Sequence, residues 1–190
     1  MIVKKSQKDL NNAVSILESG GVVICPTDTV YGFLADAQNK EAVDNIYKIK
    51  KRPKSKPLPV FVKDVKMAGE LAFIDERSAK ILRKFWPGKY TFVLHKKLKN
   101  KLYGVDKKTI AIRIPKYQFL NDLLKKINRP LVQTSVNIST QEPLKNIESI
   151  LATFGKNKLV GLIIDAGSLK KSKPSKMVDL SSSKSKIIRK

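Results

Sequence analysis

Val22-Val23-Ile24-Cys25, followed at once by Pro26-Thr27-Asp28-Thr29-Val30-Tyr31-Gly32, is the stretch on which the architecture turns. Four apolar residues between Gly20-Gly21 and Pro26 read as a short buried strand, the type that fills the middle of an open α/β sheet. The polar heptapeptide after it reads as a loop or strand end. Open α/β sheets bind ligands beyond their strand ends, so Thr27, Asp28 and Thr29 stand where chemistry is expected. The same residues also suit a plain turn in which Asp28 bonds its own backbone.

Outward from this strand, helix and strand patterns alternate. Residues 7–19 carry Leu10, Ala13, Val14 and Leu17 on one helical face, with Ser6 as N-cap and Gly20-Gly21 as the stop. Residues 39–50 form a second amphipathic helix capped by Asn39. A basic loop broken by Pro53 and Pro57 leads to a strand over Leu58–Val62. Helices follow over 64–72 and 75–85, the latter capped by Asp75 and ended by Trp86-Pro87-Gly88. Strands fall at Tyr90–Leu94 and Thr109–Ile114, a helix at 117–127, a strand at Leu131–Thr134, a helix at Asn146–Phe154 and a strand at Leu159–Asp165. Met177–Leu180 and Lys186–Arg189 are short strand candidates, separated by a turn at Ser181–Ser185. Several neighbouring strands have no helix between them. The pattern predicts one α/β domain over 1–190: a twisted sheet of mixed parallel and antiparallel strands, flanked by helices.

Composition narrows the function. The 190 residues are 42% apolar, enough for a real core. One cysteine, Cys25, excludes an intramolecular disulfide, and one histidine, His95, excludes a Cys/His zinc cage. No apolar run approaches the roughly 18–20 residues of a membrane span, and the N-terminus lacks a signal-peptide core, so a cytoplasmic protein is expected. The net charge of +23 comes from 39 basic and 16 acidic residues. It suits either a polyanion-binding face or a solvated lysine-rich surface, because only six of the basic residues are arginine. There is no Walker loop, no GxGxxG fingerprint and no nucleophile elbow, so any ATP site has another architecture.

Four further clusters carry possible chemistry. Lys50, Arg52 and Lys56 lie on or beside the proline-stiffened loop and suit a polyphosphate, although lysines are common throughout this chain. Ser135-Val136-Asn137-Ile138-Ser139 follows a strand; it suits nucleotide recognition or a helix cap. Arg113 interrupts the apolar strand Ile110–Ile114 and needs a carboxylate or phosphate partner if buried. Pro174-Ser175-Lys176-Met177-Val178-Asp179 precedes Arg189 by a short interval. His95, Cys25 and Trp86 read as an exposed strand end, a core residue and a packing anchor.

In order and spacing these pieces resemble the YrdC/TsaC family of L-threonylcarbamoyladenylate synthases. The resemblance rests on Pro26–Gly32, Lys50–Pro53 with Lys56-Pro57, Trp86–Gly88 with Thr91–Val93, Ala111–Pro115, Ser135–Ser139 and Pro174–Asp179. It covers essentially the whole chain, at the length of the family's single-domain branch. It implies a twisted mixed sheet with a basic concave face. It also implies synthesis of threonylcarbamoyl-AMP from L-threonine, bicarbonate or CO2 and ATP, with pyrophosphate released and magnesium accompanying ATP. A partner threonylcarbamoyl-transfer complex would then modify adenosine 37 of tRNA.

By the same resemblance, Lys50, Arg52 and Lys56 would hold the nucleotide phosphates, and Lys50 and Arg52 would be catalytic. Ser135 and Asn137 would also meet the nucleotide, with Thr109 and Arg189 on its second side. Thr29, Tyr31, Arg113 and Ser175 would form the threonine side, Arg113 holding the carboxylate. No protein metal ligands are implied. The chain departs from the family pattern at Phe61, where longer relatives carry histidine, and at Val136, Thr140 and Lys176, in place of alanine, glycine and threonine. A basic tRNA- or double-stranded-RNA-binding module without catalysis is the alternative. A carbamoyl-transfer module like that of hydrogenase-maturation proteins is a third reading.

Overall fold

The computed structural model describes residues 2–4, 7–99, 101–169, 172, 174–182 and 184–189. Among these, one ten-stranded sheet runs in the order β1-β8-β2-β3-β7-β4-β6-β5-β9-β10. Its strands are β1 (Ile2–Lys4), β2 (Val22–Cys25), β3 (Gly32–Asp36), β4 (Val60–Phe61), β5 (Tyr90–His95), β6 (Thr109–Arg113), β7 (Leu131–Ser135), β8 (Val160–Asp165), β9 (Lys176–Asp179) and β10 (Lys186–Arg189). The helices are α1 (Gln7–Glu18), α2 (Lys40–Lys50), α3 (Val65–Leu71), α4 (Glu76–Phe85), α5 (Gln118–Ile127) and α6 (Ile147–Phe154). Parallel pairs (β1–β8, β2–β8, β4–β6, β5–β9) mix with antiparallel ones (β2–β3, β3–β7, β4–β7, β5–β6, β9–β10), as the irregular alternation of patterns predicts. None of the helices is long and apolar enough to cross a membrane, among the described residues.

Two strands were missed and one expected strand is shorter than its pattern. β1 and β3 were not legible in the sequence. β3 is buried on both faces, and Phe33-Leu34-Ala35 is too short an apolar run to show a period. The strand expected over Leu58–Val62 contracts to Val60–Phe61. Pro57 and Pro59 have no N–H to give a ladder, and the Leu58 N–H turns away to the Gly104 carbonyl at 2.7 Å. Ser6, expected as the cap of α1, lies outside the described residues, as does part of the turn over 181–185. Asn39, Asp75 and Asn146 do cap their helices, each side chain accepting from a backbone N–H three residues on.

The period-2 geometry of the strands explains where the site must lie. Val22, Ile24, Phe33, Ala35, Val132, Ile110, Ile112 and Phe92 point to one face, where α2, α3, α4 and α6 cover them. Val23, Cys25, Leu34, Leu131, Leu162 and Ile164 point to the other, where α1 and α5 cover them. Those two helices span only half of their face: α1 packs on β2, β3 and β8, and α5 packs on α1. Over β7, β6, β5 and β9 that face carries Gln133, Ser135, Thr109, Ala111, Arg113, Val93, Met177 and Asp179 instead of a core. These residues line two adjacent cavities.

Candidate active site

The larger cluster of candidate residues lines one cavity of about 290 Å3, walled by Thr29, Val30, Arg52, Pro57, Pro59, Arg113, Gln133, Thr134, Ser135, Pro174, Ser175, Met177 and Arg189. Six of the eleven residues assigned from the resemblance therefore share one space: Thr29, Arg52, Arg113, Ser135, Ser175 and Arg189. Thr109 lines the neighbouring cavity of about 340 Å3, which shares Pro57, Pro59 and Met177 with the first and adds Leu58, Val93, Asp106, Ala111, Asp179 and Ile188. Lys50, Tyr31, Asn137 and Lys56 do not reach either wall.

Thr29 is presented by a local turn. The Thr27 hydroxyl bonds the Val30 carbonyl at 2.7 Å, accepts the Thr29 N–H at 3.0 Å and meets the Thr29 hydroxyl at 3.0 Å. Asp28 does not bond its own backbone as the turn reading expected. Its Oδ1 accepts Arg113 Nη2 at 2.5 Å and its Oδ2 accepts the Lys116 N–H at 3.2 Å. The partner that a buried Arg113 requires is thus Asp28, and a turn too short to satisfy the carboxylate locally leaves it free for β6. Arg113 is 2% exposed; its Nε donates to the Gly88 carbonyl at 2.9 Å, and its guanidinium lies 5.6 Å from the Phe61 ring centroid. Burial pulls its pKa down and Asp28 pushes it back up. Phe61 thus supplies the apolar surface beside the Arg113 guanidinium.

Ser175 is 6% exposed and shares a hydrogen bond of 2.9 Å with Thr91. Arg189, reaching in from the edge strand β10, donates to the Ser175 carbonyl at 2.8 and 3.0 Å and to its hydroxyl at 3.1 Å. On the opposite wall, Lys51 takes a left-handed conformation (φ 50°) and ends α2. This turn separates its neighbours: Lys50 stays on the buried helix face and Arg52 emerges into the cavity. Arg52 is steadied by the Lys56 and Pro57 carbonyls, at 3.2 and 3.1 Å. Lys56 contributes that carbonyl while its side chain faces solvent. The loop is anchored below by Tyr47, whose hydroxyl donates to the Lys56 and Gly104 carbonyls. Gly104 sits at φ +69°, and an added Cβ would stand 2.7 Å from Val43 Cγ1, so only glycine fits.

Lys50 is 1% exposed, and its ammonium donates to the Ser135 carbonyl (2.6 Å), the Asn137 carbonyl (2.9 Å) and Asn137 Oδ1 (2.8 Å). It fastens α2 to the turn after β7 and so sets the position of Ser135, whose hydroxyl donates to Asn137 Oδ1 at 2.7 Å. Of the two readings of 135–139, the helix cap is not what the structure forms: the segment is a turn, followed by Thr140 at φ 77°. Tyr31 likewise acts from behind. Its hydroxyl donates to the Gly167 carbonyl and accepts the Ala166 N–H, and burial pushes its pKa up to about 12. Sequence reasoning missed Gln133 and Met177 on the wall. The signal was their period-2 spacing with Ser135 and Asp179.

Burial, with Arg52 as a neighbouring cation, pulls the Lys50 pKa from its ordinary 10.5 down to about 7. Between those values the unfolded chain holds the extra proton, so raising the pH favours the folded state. The unfolding free energy of the parent relative to Lys50→Met should therefore rise from pH 7 to pH 10 in urea titrations. A difference that stays flat with pH would contradict the shift.

Comparison with known proteins identifies the family. The Sua5/YciO/YrdC family profile, described as "Telomere recombination", matches residues 15–190. A Methanocaldococcus jannaschii protein, provisionally named a threonylcarbamoyl-AMP synthase, is 37% identical over 87% of this chain and 77% of its own length. The threonylcarbamoyl-AMP synthase of Psychromonas ingrahamii is 27% identical over 87% of this chain and 89% of its own. The structure of P. abyssi Sua5 complexed with L-threonine superposes with a TM-score of 0.88 at 27% identity; it covers all of this chain, which spans only 56% of that Sua5. With the family profile covering all but the first fourteen residues and the mixed sheet superposing along its full length, this chain belongs to the Sua5/YciO/YrdC family.

Proposed function

We propose that this chain is a threonylcarbamoyl-AMP synthase, acting as one catalytic unit in the cytoplasm, where ATP, threonine and tRNA coexist. The observation that carries the reading is the single cavity whose wall brings Thr29, Arg113 and Ser175 together with Arg52, Ser135 and Arg189. The names of the relatives and the threonine complex of P. abyssi Sua5 support it.

The chemistry proceeds by positioning. The threonine amine, deprotonated, attacks CO2; a C–N bond forms and a proton leaves, giving a carbamate. A carbamate oxygen then attacks the α-phosphorus of ATP in line; the new P–O bond forms as the bond to the β-phosphate oxygen breaks and pyrophosphate departs. Arg113 and Thr29 hold the amino acid carboxylate, with Ser175 beside them. Arg52, Ser135 and Arg189 meet the phosphates, where charge develops. The neighbouring cavity takes the nucleoside, with Thr109 on its wall. Lys50 and Asn137 serve from behind the wall by fixing Ser135, and Tyr31 by fixing the loop after β8. No covalent nucleophile is required.

Among the described residues no group of three carboxylate, histidine or cysteine side chains could hold a metal ion. Magnesium enters this reading as the companion of ATP, and no step is assigned to it. The product would pass to a threonylcarbamoyl-transfer complex acting on tRNA, and the lysine-rich surface is read as an electrostatic, salt-sensitive contact for that RNA.

The test is pyrophosphate release by the purified chain, with mass-spectrometric detection of threonylcarbamoyl-AMP. Turnover should require threonine, bicarbonate and Mg-ATP together. Equal pyrophosphate release without threonine would overturn the assignment.

A further inference from the structure

Asp28 is a motif residue that the reaction above does not use. It does not belong to the cavity wall, and its side chain is 7% exposed. Both its oxygens are committed, one to Arg113 Nη2 and one to the Lys116 N–H. Arg113 is held at two of its nitrogens, Nη2 by Asp28 and Nε by the Gly88 carbonyl, with the Phe61 ring centroid 5.6 Å from its guanidinium. Nη1 has only a long contact, 3.4 Å, to the Thr29 hydroxyl. Thr29 lines the cavity, so Nη1 is the edge of the guanidinium offered to a ligand.

The three arginines of this cavity also differ in charge environment. Arg113 is paired with a carboxylate and the pair is neutral. Among the described residues Arg52 and Arg189 have no carboxylate partner and donate only to carbonyl oxygens and to Ser175. A phosphate carries a net negative charge and gains most from an uncompensated cation. A zwitterionic amino acid has no net charge and needs only a directed donor for its carboxylate.

We propose that Asp28 is a specificity-determining, positioning residue: by fixing Arg113 and cancelling its charge, it reserves that corner for the carboxylate of a neutral zwitterion and leaves phosphate to Arg52 and Arg189. The proposal rests on the functional reading above and adds the device that separates a zwitterionic substrate from an anionic one within one cationic cavity.

Calorimetric titration of the full chain with L-threonine, with and without millimolar inorganic phosphate at constant ionic strength, tests it. In the unsubstituted protein phosphate should leave the threonine Kd within about twofold. In Asp28→Asn the threonine Kd should rise about tenfold as Arg113 loses its fixed orientation. In that variant phosphate should also compete with threonine. Phosphate competing with threonine in the unsubstituted protein overturns the proposal, and so does an Asp28→Asn variant with unchanged threonine and phosphate binding. A melting curve reports whether Asp28→Asn folds; if it does not, the phosphate titration of the unsubstituted protein decides alone. Absence of threonine binding by the unsubstituted protein would instead strike the functional reading itself, a result distinct from the selectivity outcomes.

Discussion

Arg52→Ala lowers kcat/KM for ATP by about two to three orders of magnitude and leaves the protein folded. The size follows from removing a fixed donor aimed at a site of developing phosphate charge. The fold survives because Arg52 bonds only the Lys56 and Pro57 carbonyls of a loop in contact with water, which can replace it at a cost of about 1 kcal/mol. That loop keeps its other anchors, Tyr47 and the Leu58–Gly104 bond. Lys99→Ala is the matched control: the same unit charge is removed from an exposed position away from the cavity. Steady-state kinetics and melting curves on both variants check the prediction. Matched losses in the two would mean that overall charge, not this position, governs the rate.

Arg113→Met produces a larger structural effect together with loss of threonine-dependent turnover. The guanidinium is 2% exposed and faces Asp28, which is 7% exposed, so removing one partner leaves a buried carboxylate without its cation. The expected cost is about 3–5 kcal/mol, read by urea denaturation. Adding Asp28→Asn should restore much of that stability, since no buried charge is then left over, and should restore none of the activity. The double variant separates the two roles: stability depends on the pair being complete, catalysis on the guanidinium itself. A single variant as stable as the parent would show that the pair contributes nothing to folding.

Much of the fold was legible because local patterns and tertiary demands coincided. Asn39, Asp75 and Asn146 each precede a run with helical apolar spacing, and all three cap as expected. β6 and β7 read correctly because they are bounded by polar or proline residues. The failures have a common cause. β3 is short and buried on both faces, so no alternation marks it, and the prolines beside β4 shorten it through backbone donors that an apolar pattern does not report.

The site divides in the same way. Residue types and their order along the chain identified Thr29, Arg52, Arg113, Ser135, Ser175 and Arg189, and these share one wall. Lys50 looked like a phosphate ligand because it is two residues from Arg52. The left-handed turn at Lys51 sends the two to different surroundings, one to the carbonyls of Ser135 and Asn137 and the other to the cavity.

The chain taken alone determined the mixed α/β class, the family and the set of charged and hydroxyl groups available for chemistry, since these depend on local periodicity and residue identity. Only the tertiary structure decided which cations are free to meet a ligand. That depends on what each side chain touches across the sheet: Arg113 meets Asp28 across 85 positions of sequence and Lys50 meets Asn137 across 87. Such pairings arise from the strand order and from α1 and α5 covering only half a face, neither of which is written in the neighbours of a residue.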